Sequence, residues 1–179
     1  TFDAAIIELR EGQFWVMDHG GADFGMAGKD MDWAIVEKYF LPEILKAHPL
    51  DKFDRGNPAY RGAFAKLKMA AEKAKIELSN YDTTPVFVEN LFTGSDFVFE
   101  SELARAQVEA IAMPIISGSV EKCRQIIAEK NLDPKDFQKL ILVGGPTLAP
   151  YLRESLAHPK AGLGIPIDFS VHPFTVGAQ

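Results

Sequence analysis

Leu-Ile-Leu-Val-Gly-Gly-Pro-Thr, at residues 140–147, is the strongest structural signal in the chain. A continuous apolar run over 139–143 is typical of a strand buried on both faces. The two glycines let a ligand approach the backbone closely, and the N-terminus of the helix predicted after them, through about Leu156, favours an anion. The alternative is a tight strand-to-helix turn without a ligand. The segment is not a P-loop, because that motif ends in Gly-Lys-Ser/Thr.

The segments on either side alternate between strand and helix patterns. They predict a hairpin (3–9 and 13–18), a glycine-rich loop (19–28), a helix over 30–48 that Pro42 kinks or restarts, a loop (49–60), a helix (61–80), a second hairpin (84–90 and 96–100), a long helix capped by Ser101 and broken near 117–119, a short turn from Asp133-Pro134, and a strand (165–171) before a final helix. This order indicates an α/β fold. We expect a core subdomain built from 1–27 and 113–179, and an inserted α+β subdomain over 28–112.

Composition excludes several classes of protein. The 179 residues are 47% apolar and 25% charged, as in ordinary globular proteins, and the net charge of −6 argues against a nucleic-acid partner. The apolar runs are too short to cross a membrane. The single cysteine, Cys123, fits a reducing compartment, so we expect a cytoplasmic location. Both ends look cut, and we expect a piece of a larger protein.

The helix predicted over 61–80 carries a second candidate site beside its buried stripe. The stripe consists of Phe64, Leu67, Ala71, Ala74 and Leu78. Four further residues share one face at i, i+3, i+4 and i+7, namely Glu72, Lys75, Ile76 and Ser79. Their acceptor, donor, apolar and hydroxyl groups suit a sugar and one face of a base. The alternative is a solvated helix flank.

The remaining reactive residues favour structural roles. The four histidines lack metal-ligand spacing, Cys123 lies in mid-helix as a small core residue, and Asp30, one of four aspartates near the glycine-rich loop, is suited to capping a helix. No Ser-His-Asp pattern occurs. The sequence therefore predicts no metal site and no catalytic residue.

Six segments, in this order and spacing, match one known family. They are Thr1-Phe2-Asp3, Gly28-Lys29-Asp30-Met31-Asp32, Ala71-Glu72-Lys73-Ala74-Lys75 with Leu78-Ser79, Leu91-Phe92-Thr93-Gly94-Ser95-Asp96-Phe97, Leu103-Ala104-Arg105-Ala106-Gln107-Val108-Glu109, and Leu142-Val143-Gly144-Gly145-Pro146-Thr147. Together they resemble the ATPase domain of the seventy-kilodalton heat-shock chaperones, the DnaK family. The resemblance covers nearly the whole chain.

The resemblance implies the actin-like, ribonuclease H-like ATPase fold, and it covers the second lobe only. ATP or ADP then lies in a cleft between two lobes, with Mg²⁺ expected in the full-length protein. The resemblance places Glu72, Lys75 and Ser79 on the ribose and adenine. It places Gly144 and Gly145 beside the sugar and phosphates, and Thr1 near the terminal phosphate.

Four positions depart from the family pattern. Ile76 and Leu148 stand where the family usually has two arginines that sandwich the adenine. Pro146 replaces a serine and removes a backbone donor, and Phe174 stands where an aspartate is common. Our hypothesis is a divergent member in which Ile76 and Leu148 cover the base by the hydrophobic effect, with weaker or altered nucleotide binding.

The resemblance assigns the metal-holding aspartates, the phosphate-contacting lysine and most glycine-rich loops to the first lobe. We therefore expect this chain not to hydrolyse ATP alone. Its expected partners are that first lobe and a co-chaperone or nucleotide-exchange factor. One alternative is a pseudo-ATPase lobe that serves as a protein-interaction module. Another is an actin-fold sugar kinase, although the sequence offers no candidate for its sugar-binding base.

Overall fold

The structure is a computed structural model and describes residues 2–22 and 28–170. Contacts between Cα atoms divide the chain into two compact units, one formed by Thr1–Gly28 with Ala112–Gln179 and the other by Lys29–Ile111. Within the described residues each unit has one two-stranded antiparallel sheet and several helices, so the chain is mixed α/β. The predictions on Thr1, on Phe174 and on a final helix lie outside the described residues.

The regular elements follow in chain order. They are β1 (Phe2–Arg10), β2 (Gln13–Ala22), α1 (Gly28–Ile35), a π-helical segment (Val36–Phe40), α2 (Leu41–Ala47), α3 (Arg61–Glu77), β3 (Thr83–Val88), β4 (Phe99–Ala104), α4 (Arg105–Glu129) and α5 (Pro150–Ala157), with short 3-10 helices at Pro58–Tyr60, Pro134–Asp136 and Gly145–Leu148.

The first hairpin is confirmed, and it is longer than predicted. Glu11 and Gly12, both with positive φ, form its turn. Its ladder continues to the pair Phe2↔Ala22, so the loop predicted from residue 19 is wrong over 19–22. The reason is that a glycine backbone pairs in a ladder like any other, although its composition is typical of a loop.

The apolar run over 139–143 does not form the predicted buried strand. Its one pairing is a parallel bridge between Leu140 and Ile167, and Ile141 and Val143 are about half exposed. The strand predicted over 165–171 is likewise reduced to this bridge in its described part. An apolar run is buried on both faces only where other elements cover it, and the described residues give it a single short partner.

Helix α4 differs from the prediction at its first residue and at residues 117–119. It is continuous through 117–119, where Ser119 Oγ donates to the carbonyl of Ile115 at 2.8 Å, so the predicted break is wrong. It begins at Arg105, because Ser101 lies in β4 and caps nothing. The amide of Ala104 instead donates to Gln107 Oε1 at 2.8 Å, which is half of a capping box. The predicted cap and proline turn at Asp133-Pro134 is confirmed.

The Lys29–Ile111 unit contains the better-buried core. The predicted helix stays helical past Pro42, which lies in the first turn of α2, and the bonding is π-helical over Val36–Phe40 just before it. Proline has no amide hydrogen to donate to the preceding turn. The second strand of the hairpin lies at Phe99–Ala104 instead of 96–100. The reason is that the Phe97 amide donates to Ser95 Oγ and its carbonyl accepts from Leu91, which closes a loop there.

Candidate functional site

Helix α3 carries the first half of the predicted site, and its buried stripe fixes which face is presented. All five predicted core residues of the 61–80 segment are buried, namely Phe64, Leu67, Ala71, Ala74 and Leu78. The stripe packs on β3 of the same unit. Burial of these side chains leaves the neighbouring flank of α3 at the surface.

This flank presents the residues that the sequence predicts for adenosine. Glu72 is exposed, Ile76 is 61% exposed, and Lys75 and Ser79 are half-buried. The flank offers a carboxylate acceptor, an ammonium donor and a hydroxyl around an open apolar side chain. That combination can bind a hydroxyl-bearing sugar and cover one face of a flat ring.

Lys75 is held by a buried carboxylate. Its Nζ donates to Oδ1 of Asp32, which is 1% exposed. Nζ of Lys68 lies 3.9 Å from Oδ2 of the same carboxylate. A buried carboxylate is tolerated when it is paired, and two lysines on one face of α3 supply that pairing.

The sequence prediction missed Asp32 as part of the site and grouped it with the acidic residues near the glycine-rich loop. One local signal was available. Asp32 lies three and four positions before Ile35 and Val36, so it falls within the apolar stripe of its helix. A carboxylate in an apolar stripe indicates a buried partner.

The C-terminal end of α3, next to Ser79, is fixed by hydrogen bonds from the following segments. Arg105 Nε donates to the carbonyl of Leu78 at 2.8 Å, and Arg105 Nη1 lies 3.0 Å from Asp82 Oδ1. Thr84 Oγ1 donates to Glu77 Oε2 at 2.5 Å. These bonds set the position at which the helix ends, and therefore the position of Ser79.

The second half of the predicted site is the turn at Gly144–Leu148, in the other unit. Gly144 has φ +99° and ψ 150°, a conformation essentially confined to glycine. Thr147 holds the turn, since its Oγ1 and its amide both donate to the Gly144 carbonyl, at 2.6 and 3.1 Å. The tight turn, which was the predicted alternative to a ligand site, is therefore enough to explain why position 144 is a glycine.

The same turn also leaves room and donors for a ligand. A Cβ on Gly144 would meet no atom within 4 Å. In the part of the chain that the structure describes, no acceptor receives the amides of Gly144 and Gly145. Pro146 has no amide hydrogen to offer, and Leu148 is 39% exposed. The turn can therefore accept an anion through two backbone donors.

The predicted site residues fall into two sets, one in each unit. Glu72, Lys75, Ile76 and Ser79 share one face of α3, and Gly144, Gly145, Pro146 and Leu148 share one turn. The first set belongs to Lys29–Ile111 and the second to the other unit.

Asp30, predicted to cap its helix, lies inside the first turn of α1, which begins at Gly28. Cys123 is half-buried, and burial raises the pKa of its thiol. Across residues 2–22 and 28–170 there is no group of three or more His, Cys, Asp or Glu side chains arranged to hold a metal ion. Among the helices of those residues, none combines the length and apolarity needed to cross a membrane.

Comparison with known protein families gives a match over most of the chain. A family model described as Hsp70 protein matches residues 1–160. The match includes α3, its flank and the turn at Gly144–Leu148.

Proposed function

The chain belongs to the Hsp70 family, and we propose that it is the adenosine-binding lobe of a chaperone ATPase domain. Hsp70 proteins are ATP-binding chaperones with an actin-like ATPase fold. The observation that carries the proposal is the exposed flank of α3, where Lys75 is held beside Glu72, Ile76 and Ser79. In this proposal, 28–112 is the inserted subdomain, and 1–27 with 113–179 is the base of the second lobe.

The flank of α3 binds the adenosine. Glu72 accepts a hydrogen bond from a ribose hydroxyl, Lys75 donates one, and Ser79 can do both. The exposed Ile76 covers one face of the base. Its contribution comes from removing apolar surface from water, roughly 25 cal/mol per Å².

The turn at Gly144–Leu148 binds the sugar and the phosphates. The amides of Gly144 and Gly145 donate to phosphate oxygens, and the missing Cβ of Gly144 allows the approach. Pro146 reduces the number of donors by one. Leu148, 39% exposed in the same turn, adds apolar surface for the ligand.

Nucleotide hydrolysis needs the first lobe in this proposal. Mg²⁺, when bound with ATP, neutralises charge on the phosphates. The side chains assigned to hold the metal belong to the first lobe, so this chain alone binds nucleotide without turnover. Closure of both lobes on the nucleotide is the working step, and an exchange factor or co-chaperone regulates it. We place this activity in the cytoplasm.

One observation favours a second candidate function. Ile76 and Leu148 are exposed and aliphatic, where the resemblance expects arginines. A pseudo-ATPase lobe that docks another protein would use such surfaces without any nucleotide. The two candidates differ in whether adenosine binds at all.

The experiment is a titration of this chain with ADP and ATP, with and without Mg²⁺, followed through backbone amide chemical shifts. The proposal predicts shifts at 72–79 and at 144–148. Inorganic triphosphate is the matched control ligand, and it should shift 144–148 only. Absence of shifts at millimolar nucleotide, or shifts confined to other residues, would contradict the proposal and favour the interaction module.

A further inference from the structure

Asp32 is the one carboxylate in α1 that the fold buries, at 1% exposure, and it lies against the flank of α3. Its Oδ1 accepts a hydrogen bond from Lys75 Nζ, and its Oδ2 lies 3.9 Å from Lys68 Nζ. The two lysines are seven residues apart on α3, so they lie on the same face of the helix, about two turns apart. This arrangement fixes Lys75 at one particular place.

A lysine in solution is a poor positioning group, because a flexible four-carbon stem carries its charge. Ordering such a side chain costs rotamer entropy. In this chain the side chain of Lys75 is already ordered before any ligand binds, because it is only 18% exposed and is bonded to Asp32. An ammonium has three donors, and the bond to Asp32 uses one of them.

We propose that Asp32 is the positioning residue for Lys75, and that it sets the selectivity of the site for a ribose with free hydroxyls. The inference rests on the proposed function, because it needs Lys75 to contact the ribose. Lys68 has a different role: it balances the second oxygen of the buried carboxylate, and it lies about two turns before Lys75 on α3.

The test compares ADP with 2′,3′-dideoxy-ADP on the full chain by calorimetric titration. The readout is the ratio of the dissociation constant of the dideoxy nucleotide to that of ADP. In the unaltered chain the ratio exceeds one. Lys75→Met lowers it towards one, and Asp32→Asn does the same while weakening ADP by about tenfold. In the Lys75→Met background, Asp32→Asn has no further effect on the ratio.

Two controls separate positioning from stability. Ile44→Val shortens a fully buried side chain of α2 in the same unit, so it lowers the melting temperature and leaves the ratio unchanged. Asp32→Glu keeps the charge and moves the carboxylate by one methylene. It lowers the ratio less than Asp32→Asn does, and it replaces that variant if Asn prevents folding.

The outcomes distinguish the two proposals. An unchanged ratio in the folded Asp32 variants, with a lowered ratio in Lys75→Met, overturns the positioning role and leaves the proposed function intact. An unchanged ratio in Lys75→Met overturns the ribose contact and the positioning role together. No binding of ADP to the unaltered chain overturns the proposed function.

Discussion

Replacing Ile76 by arginine should tighten adenine-nucleotide binding. The residue is 61% exposed on the flank of α3, so a longer side chain finds room there without disturbing the core. A guanidinium stacked on an aromatic ring gains about 0.5–2 kcal/mol. That range corresponds to a dissociation constant for ADP lower by about 2-fold to 30-fold.

A matched variant controls for the positive charge that the arginine adds. Met69 is 70% exposed and lies seven residues earlier on the same helix, about 10 Å away along the axis. Met69→Arg therefore adds the same charge to a chain of net charge −6, at about one Debye length in physiological salt. Calorimetric titration with ADP and with inorganic pyrophosphate separates base contacts from phosphate attraction.

We expect Ile76→Arg to tighten ADP and to leave pyrophosphate unchanged, and Met69→Arg to change neither by more than about 2-fold. An equal gain for both ligands would mean that the arginine attracts phosphate. No gain beyond that of Met69→Arg would refute the reasoning, because the adenine then does not lie against this position.

Three further predictions concern the other unit. Gly144→Ala lowers the free energy of unfolding by about 1–3 kcal/mol, because alanine rarely adopts φ +99°; denaturant unfolding measures this. Gly162→Ala is more damaging, since its Cβ would lie 2.2 Å from the Ser155 carbonyl oxygen; calorimetric melting should show the larger loss. The hydroxyl of Ser170, followed by Lys139 and the Ser170 amide, lowers the pKa of Asp168. The stability contribution of Asp168 is therefore present above the unfolded pKa of about 3.9 and lost as pH falls below it; Asp168→Asn should reduce the stability difference between about pH 5 and pH 3.

Periodicity predicted the features that depend on local sequence. The buried stripe of α3 was predicted residue by residue, from Phe64 to Leu78, because the 3.6-residue repeat is a property of the helix itself. The first hairpin was predicted for the same kind of reason, since its strands are joined by the two-residue turn at Glu11-Gly12. The flank of α3 followed from the stripe by geometry.

Features that depend on distant residues were not predictable in this way. The bond between Lys75 and Asp32 joins residues 43 positions apart, and no periodic pattern encodes such a pairing. The apolar run over 139–143 was assigned to a buried strand from its composition, but burial depends on what packs beside it. The cap predicted at Ser101 failed for the same reason. Serine is a good capping residue, but here it lies inside β4, because the pairing with β3 extends to Ala104.

The proposed site treats the two ends of a nucleoside differently, and this has a consequence for selectivity. At the ribose end, Lys75 is oriented by a buried charge, and an oriented donor discriminates between a hydroxyl and its absence. At the base end, Ile76 offers apolar area, and the hydrophobic effect depends on area and not on the pattern of donors and acceptors. A site built in this way selects the sugar more strictly than the base. The divergence at Ile76 therefore bears on how tightly the nucleotide is held, which is the quantity that the Ile76→Arg variant measures.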